Sequence, residues 1–211
     1  MLSGEIFMLL AVANDKGGVG KTTTSIHWVR WLSQRSQKVL LVDCDKQGSA
    51  REWGKSLGFN IREMPDSNDL LEFLPKLSRE WDWIVVDGPA GNSEVCKSIL
   101  MCADLILIPC QPTGLDLRAS NEMLRVVRSL QSLRQGLPKA YLFLSRANSN
   151  TILYRESVEI LNDLGFPYLK QYISNKQAIA RCAGEGTTVF DQRIKDSIKE
   201  FDSLFSEVTY G

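Results

Sequence analysis

The stretch Asn14-Asp-Lys-Gly-Gly-Val-Gly-Lys-Thr-Thr23 follows an apolar run, Met8-Leu-Leu-Ala-Val-Ala13, and precedes a helical stretch near Lys21 to Arg35. A buried strand, a glycine-rich turn and a helix, in that order, form the setting a phosphate-binding loop requires. Gly17, Gly18 and Gly20 permit backbone angles and a close approach that a Cβ would block. Successive N–H groups from Gly17 through Val19 to Thr23 then face an anion, helped by the positive end of the helix. In such a loop Lys21 reaches the β- and γ-phosphates and the Thr22 hydroxyl ligates Mg²⁺. Asp15 stands where the common G-x-x-x-x-G-K-[ST] pattern has its first glycine, and a second lysine, Lys16, opens the loop. Lys16 is awkwardly set for its own phosphates. An ammonium there suits a nucleotide held by a second copy across a dimer interface; the plainer reading is a solvated surface lysine.

Outward from the loop, short apolar runs alternate with helical stretches. Val39 to Val42, Trp83 to Val86, Leu105 to Ile108 and Tyr141 to Leu144 read as strands. Ser49 to Leu57, Asn68 to Leu77, Glu94 to Cys102, Leu115 to Leu133 and Tyr154 to Leu164 read as helices. Near-continuous apolar strands imply burial on both faces, so the pattern predicts a doubly wound α/β fold. Its sheet is mainly parallel, with helices on both faces, in one domain over residues 1–211. Ile194, Ile198, Phe201, Leu204, Phe205 and Val208 have helical spacing with a mixed-charge outer face, which predicts a terminal helix docked on the core.

Composition narrows the function classes. The 211 residues are 44% hydrophobic and 24% charged, which excludes a disordered chain. Lys plus Arg (25) equals Asp plus Glu (25), so any nucleic-acid contact has to use a local patch. No apolar run approaches the roughly 20 residues of a membrane span, and Met1 to Phe7 lacks the features of a secretion signal. Cys44, Cys96, Cys102, Cys110 and Cys182 form an odd, scattered set without a CxxC pair, which reads as reduced thiols of a cytoplasmic protein. The one histidine, His27, reads as a packed residue of the first helix, and the five tryptophans as packing residues.

Two acidic motifs follow the loop. Asp43 and Asp45 flank Cys44 at the end of a strand run, and residues two apart on a strand share a face. Two carboxylates on one face call for a cation, Mg²⁺, Lys21 or both; the alternative is that they cap the next helix. Asp87 closes Trp83-Ile-Val-Val86 ahead of the turn Gly88-Pro-Ala-Gly91.

Lys16-Gly-Gly-Val-Gly-Lys-Thr-Thr23 resembles the deviant Walker A motif of the ParA/MinD superfamily of partition ATPases. Asp43-Cys-Asp-Lys-Gln-Gly48 looks like its D-x-D-P-Q-G motif, with Lys46 in place of proline. Trp83 to Ala90 looks like its Walker B strand and switch, and Gly186 to Phe190 like its late G-x-x-[VI]-F segment. The short length is similar to the ParF-like branch. The resemblance implies a Mg-dependent ATP hydrolase in which Asp45 positions the attacking water and Asp43 supports the Lys21/Mg²⁺ network. Asp87 then holds Mg²⁺ with Thr22, and Pro112, in Pro109-Cys-Gln-Pro112, borders the nucleotide. Ser145-Arg146 occupies the place of an Asn-Arg pair that reads the adenine edge.

The same resemblance implies a timer. ATP closes a homodimer in which Lys16 meets the partner's phosphates, and the dimer binds nucleoid DNA without sequence preference. A ParB-like or adaptor protein then stimulates hydrolysis and release, so that a plasmid, a chromosome region or a large cytosolic cargo is positioned, without a membrane. The expected location is cytoplasmic and nucleoid-associated. Arg146, Arg155, Lys170, Lys176, Arg181, Arg193, Lys195 and Lys199 are the candidate DNA cations. The competing classes are a P-loop metabolic enzyme of ligase or reductase type, a membrane-targeted regulator, and a nucleotide-binding scaffold of low turnover.

Overall fold

The computed structural model describes residues 7–77, 80–91, 93–114, 117 and 120–210. In chain order the elements are β1 (Met8–Val12), α1 (Lys21–Ser33), β2 (Val39–Asp43), α2 (Ser49–Ser56), β3 (Asn60–Glu63), α3 (Ser67–Leu77), β4 (Trp83–Asp87) and α4 (Glu94–Cys102). They continue with β5 (Leu105–Cys110), α5 (Asn121–Leu133), β6 (Lys139–Ala147), α6 (Ile152–Asp163), β7 (Ile173–Ser174), α7 (Gln177–Gly184) and α8 (Lys195–Tyr210). The strands form a seven-stranded sheet in the order β3-β2-β4-β1-β5-β6-β7, and every pairing of named strands is parallel.

Strand alternation sorts the apolar runs onto two cores. Leu9, Leu40, Val42, Ile84, Val86, Ile106 and Ile108 face one side, under Leu70, Leu74, Ile99, Leu124 and Leu161 of α3 to α6. Leu10, Val12, Leu41, Val85, Leu107 and Phe143 face the other, under Ile26, Trp28 and Val29 of α1, Trp53 of α2, and Phe201, Leu204 and Phe205 of α8. The doubly wound α/β expectation stands, and so does the docked terminal helix.

The chain leaves β1 toward β2 on one side and later returns through β5 on the other. That reversal opens a crevice at the carboxyl end of β1, where sheets of this kind bind ligands.

Three elements escaped the sequence pattern. β3 is an edge strand exposed along most of its length, with Ile61 its one large apolar side chain. β7 has two residues, and α7 buries only Ile179 and Cys182. The helix expected from Leu115 is described as helix α5 only from Asn121; positions 115, 116, 118 and 119 lie outside the described residues, as do Met1 to Ile6. Among the described residues, no helix is long and apolar enough to cross a membrane.

Candidate functional site

The loop after β1 ends at Gly20, whose φ of 96° and ψ of 21° start α1 without a side-chain cap. The first turn of α1 contains no acidic residue, so its amides and dipole are left for an anion. A Cβ at Gly20 would lie 2.7 Å from the Ser145 hydroxyl of β6, so glycine is required for space as well as for angle. Asn14 braces the loop twice: its Nδ2 donates to the Pro109 carbonyl at 2.8 Å, and its Oδ1 accepts the Lys16 N–H at 2.9 Å. The Gly91 N–H donates to the Asp15 carbonyl at 2.7 Å, which ties the turn after β4 to the loop.

The expected phosphate and metal residues converge. The Thr22 hydroxyl donates to Asp87 Oδ2 at 2.7 Å, and the Ser25 hydroxyl is 2.8 Å from Asp87 Oδ1. Burial pushes the Asp87 carboxyl up to about 7, against the pull of those two hydroxyls. Lys21 Nζ donates to the Lys16 carbonyl at 2.8 Å, with the ammonium turned onto its own loop. Burial lowers the pKa of Lys21, while the Asp87 charge opposes that shift. Gly17, Gly18, Gly20, Lys21, Thr22, Thr23 and Asp45 line one cavity of about 620 Å³, whereas Val19 is buried beneath the loop. Lys16, next to the lining residue Gly17, is exposed.

Asp43 and Asp45 divide the readings that the sequence left open. Asp43 ends β2, but Asp45 lies beyond the strand, so the shared-face argument does not apply to the pair. Asp43 Oδ1 accepts the Asp45 N–H at 3.0 Å and Oδ2 the Arg51 N–H at 2.7 Å. Asp43 therefore shapes the loop and bonds the first turn of α2, as the capping alternative expects. Asp45 accepts the Gln47 N–H at 2.9 Å and lines the cavity. Neither Pro112 nor its neighbour Gln111 is among the cavity's lining residues, but Gln111 Nε2 donates to the Gly18 carbonyl at 3.2 Å and so braces the loop. Arg146 does line the cavity, in the left-handed region at a φ of 53°, with Ser145 buried beneath Gly20.

Sequence reasoning missed Asn14, Ser25 and Gln111 as parts of the site. Ser25 carried a signal, since it lies three residues after Thr22 and hence on the same helical face. Among the described residues, no group of three or more His, Cys, Asp or Glu side chains is placed to hold a metal. A divalent cation here would be held by few protein oxygens, Thr22 and Asp87 foremost, with the rest from phosphate and water, which is how Mg²⁺ is commonly bound. All five cysteines are free thiols.

A parallel sheet, a glycine loop on the first helix and a hydroxyl-bonded aspartate on a neighbouring strand define a P-loop nucleotide-binding protein. The chain belongs to the CobQ/CobB/MinD/ParA nucleotide-binding domain family, whose model matches residues 10–189. It is similar to the maintenance of carboxysome distribution protein A of Halothiobacillus neapolitanus, 31% identical over 99% of both chains. It superposes on a Cyanothece McdA variant in complex with ATP with a TM-score of 0.79 at 18% identity, over 97% of both chains. The septum site-determining protein MinD of Pyrococcus horikoshii, complexed with Mg-ADP, gives 0.77 at 18% identity over 97% of this chain and 96% of that one. The resemblance to ParA/MinD proteins therefore stands, and the expectation of ATP with Mg²⁺ agrees with the ligands of those two structures.

Proposed function

We propose that this protein is a ParA-like positioning ATPase that closes as a homodimer around ATP and tethers to DNA in that state. One observation carries the reading: Lys21, at the start of α1, is folded back on the Lys16 carbonyl within its own loop, while Lys16 opens that loop at an exposed position. Lys21 is thus set to serve the phosphates of its own subunit, and Lys16 those of a second copy. Thr22 and Asp87 would hold Mg²⁺, which supplies positive charge against the phosphate oxygens. Ser25 keeps Asp87 oriented when the Thr22 hydroxyl turns away from it. Asp45 lines the cavity from a loop braced by Asp43, and is the residue to orient an attacking water.

The DNA contact falls to cations outside the loop. Lys176 pairs with Glu200 at 2.7 Å and Arg181 with Glu185 at 2.6 Å, which weakens both as candidates. Arg193, Lys195 and Lys199, at the head of α8, are exposed. Two copies double such a patch, so binding follows dimerisation. The end-to-end match to a protein named for carboxysome distribution favours a large cytosolic assembly as the cargo, with a ParB-like or adaptor protein as the stimulating partner.

The test is binding to random-sequence duplex DNA with ATP, with ADP and without nucleotide, at two salt concentrations. Binding with ATP alone, weakened by salt, is the expected result. Binding in no state removes the tether. Lys16→Ala should bind nucleotide yet fail to dimerise with ATP; a variant that dimerises normally removes the cross-interface role.

A further inference from the structure

The chain's one histidine touches two walls of the nucleotide cavity that the mechanism above leaves unlinked. His27 is fully buried on α1, four residues beyond Thr23. Its Nδ1 lies 2.7 Å from the Thr23 carbonyl, and its Nε2 is 3.3 Å from the Val189 N–H. A carbonyl only accepts and an amide only donates, so a neutral ring protonated at Nδ1 satisfies both neighbours. The ring stacks on Phe201 of α8 with centroids 4.2 Å apart and planes 6° from parallel, which leaves it little freedom to tilt alone.

Val189 belongs to the strap that joins α7 to α8. The strap is tied to α2, because Trp53 Nε1–H donates to the Thr187 carbonyl at 2.9 Å. It is tied to α1 a second time by the ion pair of Arg30 with Asp191, whose carboxylate also accepts the Thr188 N–H at 3.0 Å. Gly184 and Gly186, at the near end, line the same cavity as Thr23 and Asp45. The far end passes through Arg193, held at a φ of 56°, into the head of α8, where Lys195 and Lys199 alternate with Asp196 and Glu200. The strap therefore bridges the helix leaving the phosphate loop and the helix leaving the Asp45 loop.

We propose that His27 is a positioning residue that transmits nucleotide occupancy from the first turn of α1 to the strap at 186–194. A displaced Thr23 carbonyl carries the imidazole with it. The buried Val189 amide then follows, since a buried N–H without a partner is costly. Where the strap delivers that movement to Arg193 and Lys195, the inference rests on the DNA contact proposed above.

The test measures hydrogen exchange of the strap amides with and without a slowly hydrolysed ATP analogue and Mg²⁺, in wild type and in His27→Phe. Phenylalanine keeps the stack on Phe201 and removes both ring nitrogens. In wild type, nucleotide should slow exchange at 187–191 by about tenfold or more. In His27→Phe, affinity for a fluorescent ATP analogue should stay within about threefold while that slowing falls below about twofold. DNA binding by the variant with ATP should then be weaker than that of wild type, although ATP-driven dimerisation is kept. A wild-type strap that ignores nucleotide, or a variant strap that still responds, overturns the relay. If wild type binds DNA in no nucleotide state, the DNA reading fails and the exchange arm still decides the relay. Should the variant not fold, imidazole nitrogen NMR of wild type decides it, since a single histidine needs no assignment. A neutral ring protonated at Nδ1 whose signals shift on nucleotide binding supports the relay; a ring protonated at Nε2, or signals that do not move, overturns it.

Discussion

The two sides of the nucleotide cavity are built by different means. On the phosphate side, every residue of β2 and β4 is buried, and Asp87 projects from the sheet interior onto Thr22 and Ser25. On the far side, the wall is the end of an eight-residue helix and a strap held by side-chain bonds to backbone. One side is fixed by ladders of main-chain hydrogen bonds and paired apolar strands. The other keeps its place only while α1, α2 and α8 hold it, which suits a wall that moves with them.

The largest expected effect therefore lies under the weaker wall. Phe201 is fully buried against His27, Phe190 and Phe205. Phe201→Ala should cost about 3–5 kcal/mol of unfolding free energy in a denaturant titration. A loss under about 1 kcal/mol would mean that the strap side collapses onto the gap, and the contrast between the walls would fail.

His27 supplies the next effect. Burial lowers its pKa from 6.5 to about 4, so between these values the unfolded chain takes up a proton that the folded one refuses. Stability from this group is complete above pH 6.5 and is lost as pH falls toward 4, by about 3 kcal/mol in all. In His27→Phe that part of the pH dependence should vanish, which denaturation of both proteins at pH 7 and pH 4.5 would reveal. Equal slopes would place His27 in a wetter setting than its stacking implies.

On the phosphate side, Lys21→Ala removes the one ammonium aimed at the loop from within it. Nucleotide affinity should fall by about a hundredfold, the loss of a charge-assisted bond of about 2–3 kcal/mol, while the unfolding midpoint hardly moves. A titration with a fluorescent ATP analogue reads the first and thermal unfolding the second. A large drop in stability would mean that the Lys21 to Lys16 carbonyl bond, rather than the strands, holds the loop.

The same contrast explains what could be read before the structure. Leu9 through Val12 and Ile84 through Val86 are apolar because both faces of those strands are covered, so their runs announced the sheet, and the glycines and Lys21-Thr22 announced the loop. The cap made by Asp43 was not legible, because a carboxylate that caps a helix eight residues on looks, in sequence, like one that awaits a metal. The brace from Gln111 was not legible either, since only the folded loop shows that its amide reaches the Gly18 carbonyl. Ile173-Ser174 and Gln177 to Gly184 have no period long enough to register, and their conformation comes from β6, α8 and α2. The bond from His27 to Val189 spans 162 positions, and no local pattern in either segment encodes it.

The smallest effects sharpen the contrast most, because one hydrogen bond is removed from each wall. Ser25→Ala deletes a fully buried donor to the Asp87 carboxylate, and Trp53→Phe deletes the donor to the Thr187 carbonyl while keeping a ring in place. Above pH 7, where Asp87 is ionised, the bond to a charged acceptor is worth about 1.5–3 kcal/mol and the neutral one about 1 kcal/mol, so Ser25→Ala should cost more stability there. Their reach should run the other way. The ladders around Asp87 confine the loss of Ser25 to its own site, and hydrogen exchange should change only around β4 and the start of α1. Loss of the Trp53 tether leaves that end of the strap held to α2 by the bond from the Ser56 hydroxyl to the Gly186 carbonyl at 3.1 Å, and exchange should quicken from Gly186 through Thr188 although the energetic cost is smaller. If both variants speed exchange only locally, the strap is as firmly built as the phosphate side, and the difference between the walls is one of sequence and not of mechanics.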